Sequence, residues 1–273
     1  MTMQMQASRR AKDGSAFIRG LKRQTQVISA LMIREAMSRY GHESLGFFWI
    51  MGEPLLLTCG VMVLWTLSNQ THGSEIGVVP FALTGYSMLT LWRHIVFKSV
   101  HGMRYNASLT FHAHVQFLDI LLARALLETM GILAAFFIAY VPLYCLDLIM
   151  PVRDPLVLFG GWFLTAWFCF GFGLCLAALS ELNDVLERVI QPAMYITLPL
   201  TGAFYMVDWL PPKARDFLLW SPLVQGMEMF RGGLFPADIP TEWNAAYLFA
   251  CAFATMAVAL PLCLYAQKRV QMP

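Results

Sequence analysis

The sequence predicts an all-α integral membrane protein with six transmembrane helices, an N-terminal amphipathic interface helix, and a re-entrant helical hairpin between the fifth and sixth spans. Three observations predict it. Of 273 residues, 58% are hydrophobic and only 13% charged, far more apolar side chain than one water-soluble core buries. The apolar residues come in long runs. Between Gly202 and Pro236 the chain instead offers two helix-sized pieces, each too short to cross a bilayer, set between runs that are long enough.

Residues 1–44 form a basic N-terminal region. Within it, Gln24 to Tyr40 places Val27, Ala30, Ile33, Met37 and Tyr40 at three- and four-residue intervals, with Arg34, Glu35, Ser38 and Arg39 turned elsewhere. That spacing is an amphipathic helix lying along the inner membrane surface, read either as a basic anchor or as a cuff against a cytoplasmic partner. Met1 to Tyr40 has no isolated apolar stretch of the signal-peptide kind, so the first span is expected to direct insertion.

Residues 45–273 form the transmembrane domain, with spans expected at Phe47 to Leu67, Val79 to Val100, Leu118 to Tyr144, Leu156 to Leu179, Val189 to Val207 and Trp243 to Ala266. With both termini cytoplasmic, only Arg153, Lys213, Arg215 and Arg231 of the 19 Lys and Arg fall outside, so the positive-inside rule selects this orientation. The first span carries Glu53-Pro54, a carboxylate demanding a partner beside a residue that breaks the helical ladder. The second carries Arg93 and His94. Arg93 is read either as snorkelling to lipid headgroups or as contacting an anionic substrate. The third carries Arg124 and Glu128, whose i, i+4 spacing predicts an ion pair within one helix. The fifth carries Pro192 and Pro199 before Thr201-Gly202, which predicts a bent helix.

The hairpin, about 208–236, has sequence-level stop and start signals. Ser221 is a good N-cap, Pro222 fits the first helical position and Gly232-Gly233 supplies a stop, so its second piece is a helix of about ten residues, roughly 15 Å long. Two polar segments, His101 to Phe117 and Ser180 to Arg188, are read either as solvated turns or as docking sites for a soluble partner.

Aromatic residues near span ends, Trp49, Trp65, Trp162, Trp209, Trp220 and Trp243 among them, suit an interfacial belt. Trp92, Tyr195, Phe204 and Tyr205 lie in or beside the spans bearing the arginine and the prolines, which makes them candidates for lining a pathway, since aromatic faces pack on the C–H faces of sugar rings. The six cysteines lack Cys-x-x-Cys spacing, and His112 and His114 fall on different helix faces, so neither a disulfide framework nor a metal site is expected. No G-x-x-x-x-G-K-[ST] loop, H-E-x-x-H pair or G-x-S-x-G elbow occurs, and Gly171-Phe-Gly173 lies inside an apolar helix as packing. The chain itself is therefore not expected to be an enzyme or to bind a cofactor or nucleic acid. A membrane-embedded lipid- or glycan-modifying enzyme using Glu53, Asp119, Glu128 or the histidines is the rival of another class, disfavoured because these groups are scattered.

Four stretches carry a resemblance. L-P-L-T-G-A-F-Y-M-V-D-W-L-P-P from Leu198, and L-L-W-S-P-L-V-Q-G-M-E-M-F-R-G-G-L-F from Leu218, resemble the permease subunits of ABC type-2 exporters, those of capsular polysaccharide export above all. I-R-E-A-M-S-R-Y-G-H-E-S-L-G-F-F-W from Ile33, and F-H-A-H-V-Q-F-L-D-I-L-L-A-R-A-L-L-E from Phe111, resemble the same family's approaches to its first and third spans. The resemblance implies a multi-pass permease of the bacterial inner membrane that pairs with a second copy of itself and recruits two ATP-binding cassette subunits, which bind the ATP and Mg. It implies a lipid-linked acidic polysaccharide as cargo, with periplasmic and outer-membrane components receiving it. O-antigen, teichoic acid or a small hydrophobic drug are the rival cargoes within the class.

On that basis Glu53, Trp92, Arg93, Tyr195, Phe204 and Tyr205 are expected along the pathway. Trp209, Trp220, Glu228 and Arg231 are expected to build the hairpin at its outer mouth. Arg34, Arg39, Arg104, Asn106, His112, Glu181, Asp184 and Glu187 are expected to couple to the ATPase.

Overall fold

The computed structural model describes residues 19–37, 76–100 and 117–270, together with Leu56, Cys59, Gly60 and Val63, and among these every regular element is helical. We label the elements α1 (19–37), α2 (Val78–Val100), α3 (Phe117–Cys145), α4 (Pro155–Leu182), α5 (Asp184–Ile196), α6 (Pro212–Leu218), α7 (Pro222–Leu234) and α8 (Ala245–Val270). Short 3-10 turns at Leu198–Thr201 and Val207–Trp209 link α5 to α6. By length and composition α3, α4 and Ala245–Gln267 of α8 suit a membrane crossing. The second, third, fourth and sixth expected spans thus each coincide with a long helix, and the first lies largely outside the described residues.

Helix α4 is the centre of the bundle. Its start is set by Asp154, whose carboxylate accepts from the Leu156 and Val157 N–H groups at 2.9 and 3.2 Å, with Pro155 in the first turn. Small residues let neighbours approach it from several sides. A Cβ on Gly161 would meet the Phe230 backbone of α7 at 2.7 Å, and one on Gly233 of α7 would meet the Leu158 backbone at 2.3 Å. Gly171 faces Thr255 of α8 and Gly173 faces Ser99 of α2, the packing role expected of that pair. Hydroxyls inside these apolar helices cost little because each turns back on its own ladder: Ser99, Thr129 and Thr165 donate to the carbonyls of Ile95, Ala125 and Gly161 at 2.7 Å. Trp162 is fully buried and donates to the Thr129 carbonyl, so it belongs to the core and not to an interfacial belt.

The fifth span departs from expectation. Its helix starts at Asp184, with only Asn183 between it and the end of α4, and stops at Ile196, after which Pro199 supports a 3-10 turn and Gly202 takes φ +76° to reverse the chain. Ser180 to Arg188 is therefore no separate short element: Ser180 to Leu182 close α4, Asn183 is an extended break, and Asp184 opens α5.

The hairpin's second helix is Pro222–Leu234, 13 residues, longer than the glycines suggested. Gly232 and Gly233 lie within it because they face neighbours, and the stop is extended Phe235 before Pro236. Ser221 makes no capping bond either, since its hydroxyl donates to the Leu200 carbonyl at 2.9 Å. Gly226 opposite Thr165 and Gly233 opposite Leu158 show α7 running antiparallel along the first half of α4 only.

Candidate functional site

Charged side chains gather at two places. One is the end of the bundle where α2 stops, α3 starts and α1 docks, called here the near end. The other surrounds α7, against the first turns of α2 and α4.

At the near end, α1 lies on α3 through Val27, Ile28, Leu31 and Met32, which pack on Ile120 and Ala123. The face expected to lie on the membrane surface stays exposed at Ile33 and Met37, and a different face docks, on which Glu35 is buried. The reason is electrostatic. Glu35 is 2.9 Å from Arg124 Nε, a charge contact without hydrogen-bond alignment, and accepts from the second guanidinium nitrogen at 3.3 Å, while Gln24 donates to Asp119 at 3.1 Å. Arg34 sits half-exposed beside the same carboxylate, at 3.9 Å.

Arg124 and Glu128 consequently do not pair with each other. Glu128 faces α2, 2.9 Å from His94 Nδ1 and 2.6 Å from Lys98 Nζ. An ammonium and an imidazole held against one buried carboxylate satisfy it better than a single arginine one turn away on the same helix, so the expected i, i+4 pair is replaced by two interhelical contacts. Sequence reasoning missed Lys98 and gave His94 no partner. The signal was present, because His94 and Lys98 are four apart and share one face of α2.

Beside this ion pair a cleft of about 240 Å³ opens between α2 and the end of α5, lined by Arg93, His94, Phe97, Lys98, Tyr195 and Leu198 among others. Two of the expected pathway residues, Arg93 and Tyr195, meet there. Trp92 does not, since it turns into the core against Phe172 and is only 4% exposed. Phe204 is partly exposed near the chain reversal, and the Tyr205 hydroxyl donates to the Pro199 carbonyl at 2.7 Å. Glu53, Arg39, Arg104, Asn106 and His112 lie outside the described residues. Glu181 falls in the last turn of α4, and Asp184 and Glu187 belong to α5.

Around α7 the arrangement is closed. Arg231 is completely buried, donating to the carbonyls of Gly202, Tyr205 and Ala203 at 2.9, 2.7 and 3.0 Å and to the Thr84 hydroxyl at 3.4 Å, with its guanidinium 4.4 Å from the centre of the Phe81 ring. Glu228, one turn earlier and 4.0 Å away, accepts from the backbone N–H groups of Val207 and Glu242 at 3.3 and 3.2 Å. Gln225, a further turn back, accepts from Asn244 N–H at 2.7 Å and donates to the Leu219 carbonyl at 2.8 Å. This stripe of α7 thus takes over loop backbone groups that helix or sheet would otherwise satisfy. Trp209 stacks near Phe81 at 5.3 Å, and Trp220 stands 75% exposed on the hairpin, its carbonyl held by the Tyr247 hydroxyl. Arg215 bridges Glu242 and Asp208 on the surface.

Chemically, the near end offers a partly open cationic cleft and the α7 region a sealed brace. Among the described residues no cluster of His, Cys, Asp and Glu has a metal-binding arrangement, and all six cysteines are free.

Comparison with known proteins bears on both regions. The model of the ABC-2 type transporter family matches residues 26–235. The capsule polysaccharide export inner-membrane protein CtrC of Neisseria meningitidis serogroup B is 35% identical over 87% of this chain and 89% of its own length. Its counterpart BexB of Haemophilus influenzae is 34% identical over 91% of this chain and 94% of its own. The polysialic acid transport protein KpsM of Escherichia coli is 26% identical over 89% and 94%.

Proposed function

This chain belongs to the ABC-2 type transporter family, and from that premise we propose that it is the membrane permease of a capsular polysaccharide exporter, a multi-pass protein of the bacterial inner membrane. The observation that carries the reading is likeness along nearly the whole chain to proteins named for capsule polysaccharide export, at 35% and 34% identity. Deleting the gene in its host should abolish surface polysaccharide and leave drug sensitivity unchanged. Retained capsule, or a drug phenotype alone, would refute the cargo.

The chain works as a passage and not as an enzyme. ATP and Mg belong to two ATP-binding subunits docked at the near end, and two copies of this chain form the pathway between them, receiving a lipid-linked acidic polymer and delivering it to periplasmic and outer-membrane components. Six crossings with both termini cytoplasmic place Arg93, Lys98 and Arg124 on the inner side, as the positive-inside rule asks. The α7 geometry supports a re-entrant hairpin, because a helix covering only half of α4 cannot span. Cysteine introduced at the exposed Lys213 should then be labelled only from outside the cell.

The near-end ion pairs supply a route for force. A push on α1 reaches α3 through Glu35–Arg124, and α3 reaches α2 one turn later through Glu128 with His94 and Lys98. The break at Asn183 is a second lever, joining two helices through one extended residue. Neutralising the charges from Ser180 to Arg188 should leave ATP hydrolysis running while export falls, and unchanged export would count against that lever.

A further inference from the structure

We propose that the cleft between α2 and α5 is a binding site for the phosphate group of an amphiphile, with Arg93 as its principal ligand. The inference deepens the exporter reading and rests on it for its setting in the inner half of a membrane.

Charge balance points to an anion. The Glu128 carboxylate is already held by Lys98 and His94 and makes no contact with Arg93. Arg93 itself makes no ion pair or hydrogen bond with any described residue, although it lines a concave site beside Lys98 and His94. A guanidinium left unpaired in a partly buried place is held at a cost unless something outside the chain meets it. Phosphate suits it, because its oxygens accept the fork of two parallel N–H bonds that a guanidinium offers.

Size and surroundings narrow the class. About 240 Å³ holds a single charged head and not a run of sugars. Phe97 and Leu198 make the walls apolar, and the rim is formed by Tyr195, 66% exposed. Beyond the rim α5 exposes Val189 and Ile196, seven residues apart and hence on one face, a track for a hydrocarbon tail. A head that binds Arg93 with a tail along α5 is the pattern of an anionic lipid, whether bulk phospholipid or the anchor of the cargo. Simple snorkelling differs from this: it reads charge alone, so lysine would serve equally well.

The test uses the full chain with its ATP-binding partner, reconstituted in nanodiscs of phosphatidylcholine with or without phosphatidylglycerol, and counts phosphatidylglycerol retained per protomer by native mass spectrometry. Arg93→Gln should weaken retention about tenfold, the loss of a charge-assisted bidentate contact, and Arg93→Lys should weaken it several-fold, whereas Lys213→Gln should change nothing. Displacement by added inorganic phosphate would assign the site to free phosphate, and resistance to it would assign the site to the lipid; both keep the phosphate chemistry. Equal retention by wild type and Arg93→Gln, or full retention by Arg93→Lys, overturns the proposal. Capsule staining of the same variants separates the two readings: export that persists in wild type while retention ignores Arg93 sinks this site and leaves the exporter standing.

Discussion

Arg231 and Arg93 are the same residue in opposite circumstances. The first is wholly buried, with three backbone carbonyls, a hydroxyl, a carboxylate and an aromatic face around its guanidinium; the second opens on a cleft and meets no acceptor among the described residues. The difference separates architecture from availability. A buried cation whose guanidinium is committed to three loop carbonyls and the Thr84 hydroxyl fixes where the chain reverses after Gly202 and is not open to a ligand. A cation that the fold leaves unspent can take one.

The contrast is broken most sharply at Arg231. Replacing it with Met should destabilise the protein by about 3–5 kcal/mol, because three turn carbonyls would be left buried without donors and Glu228, which burial already pushes towards its neutral form, would lose its cation. Thermal unfolding of the purified protein in detergent checks it. Arg231→Lys should recover little, since a point ammonium cannot serve carbonyls in several directions at once. A variant that melted with the wild type would show the clasp to be incidental.

Next comes Glu128→Gln. The carboxylate is buried, but Lys98 is partly exposed and can turn towards water, so the expected cost is smaller, about 1–3 kcal/mol. Export should fall further than stability if α2 and α3 move together through this contact. Equal loss of both would leave the contact a purely structural one.

How much of this was legible in the sequence differs between the two regions for a physical reason. Helix ends read well where the signal is local, as at Asp154-Pro155, whose cap and fixed φ act within one turn. Long apolar runs gave the bounds of α2 and α3 to within one residue and those of α4 and α8 to within four. What misled was partner choice. Arg124 and Glu128 stand at pairing distance along one helix, yet each is turned towards a different neighbour, and one-dimensional spacing carries no information about which helix lies opposite. Gly232-Gly233 failed as a stop for the same reason, because the close approach of α4 uses them as contact points. Arg231 was expected in the hairpin, and only the position of the chain reversal reveals its acceptors. Arg93 and Tyr195 were singled out because they lay on the spans bearing charge and proline, and the fold does bring them to one cleft.

The Glu35–Arg124 contact sharpens the comparison from between its extremes, being shielded but made by side chains that retain some water. A double-mutant cycle with Glu35→Gln and Arg124→Gln should give a coupling energy of about 1 kcal/mol. Screening by salt should diminish it only in part, since Glu35 is buried. A coupling near zero would mean that α1 is held on α3 by Leu31 and its apolar neighbours alone.

The smallest effect on stability is expected at Arg93. Arg93→Gln removes a charge that makes no ion pair or hydrogen bond with the described residues, and a substitution away from buried pairs and caps changes stability by no more than about 0.5 kcal/mol. Its melting temperature in lipid-free detergent should therefore match the wild type, while Arg231→Met falls far below both. Adding phosphatidylglycerol gives the decisive difference: a ligand that binds only the folded protein raises its stability by mass action, so wild type should gain thermal stability that Arg93→Gln does not. If both gained alike, the cleft would be no more than a gap between helices, and the distinction between the committed and the uncommitted arginine would lose its functional meaning.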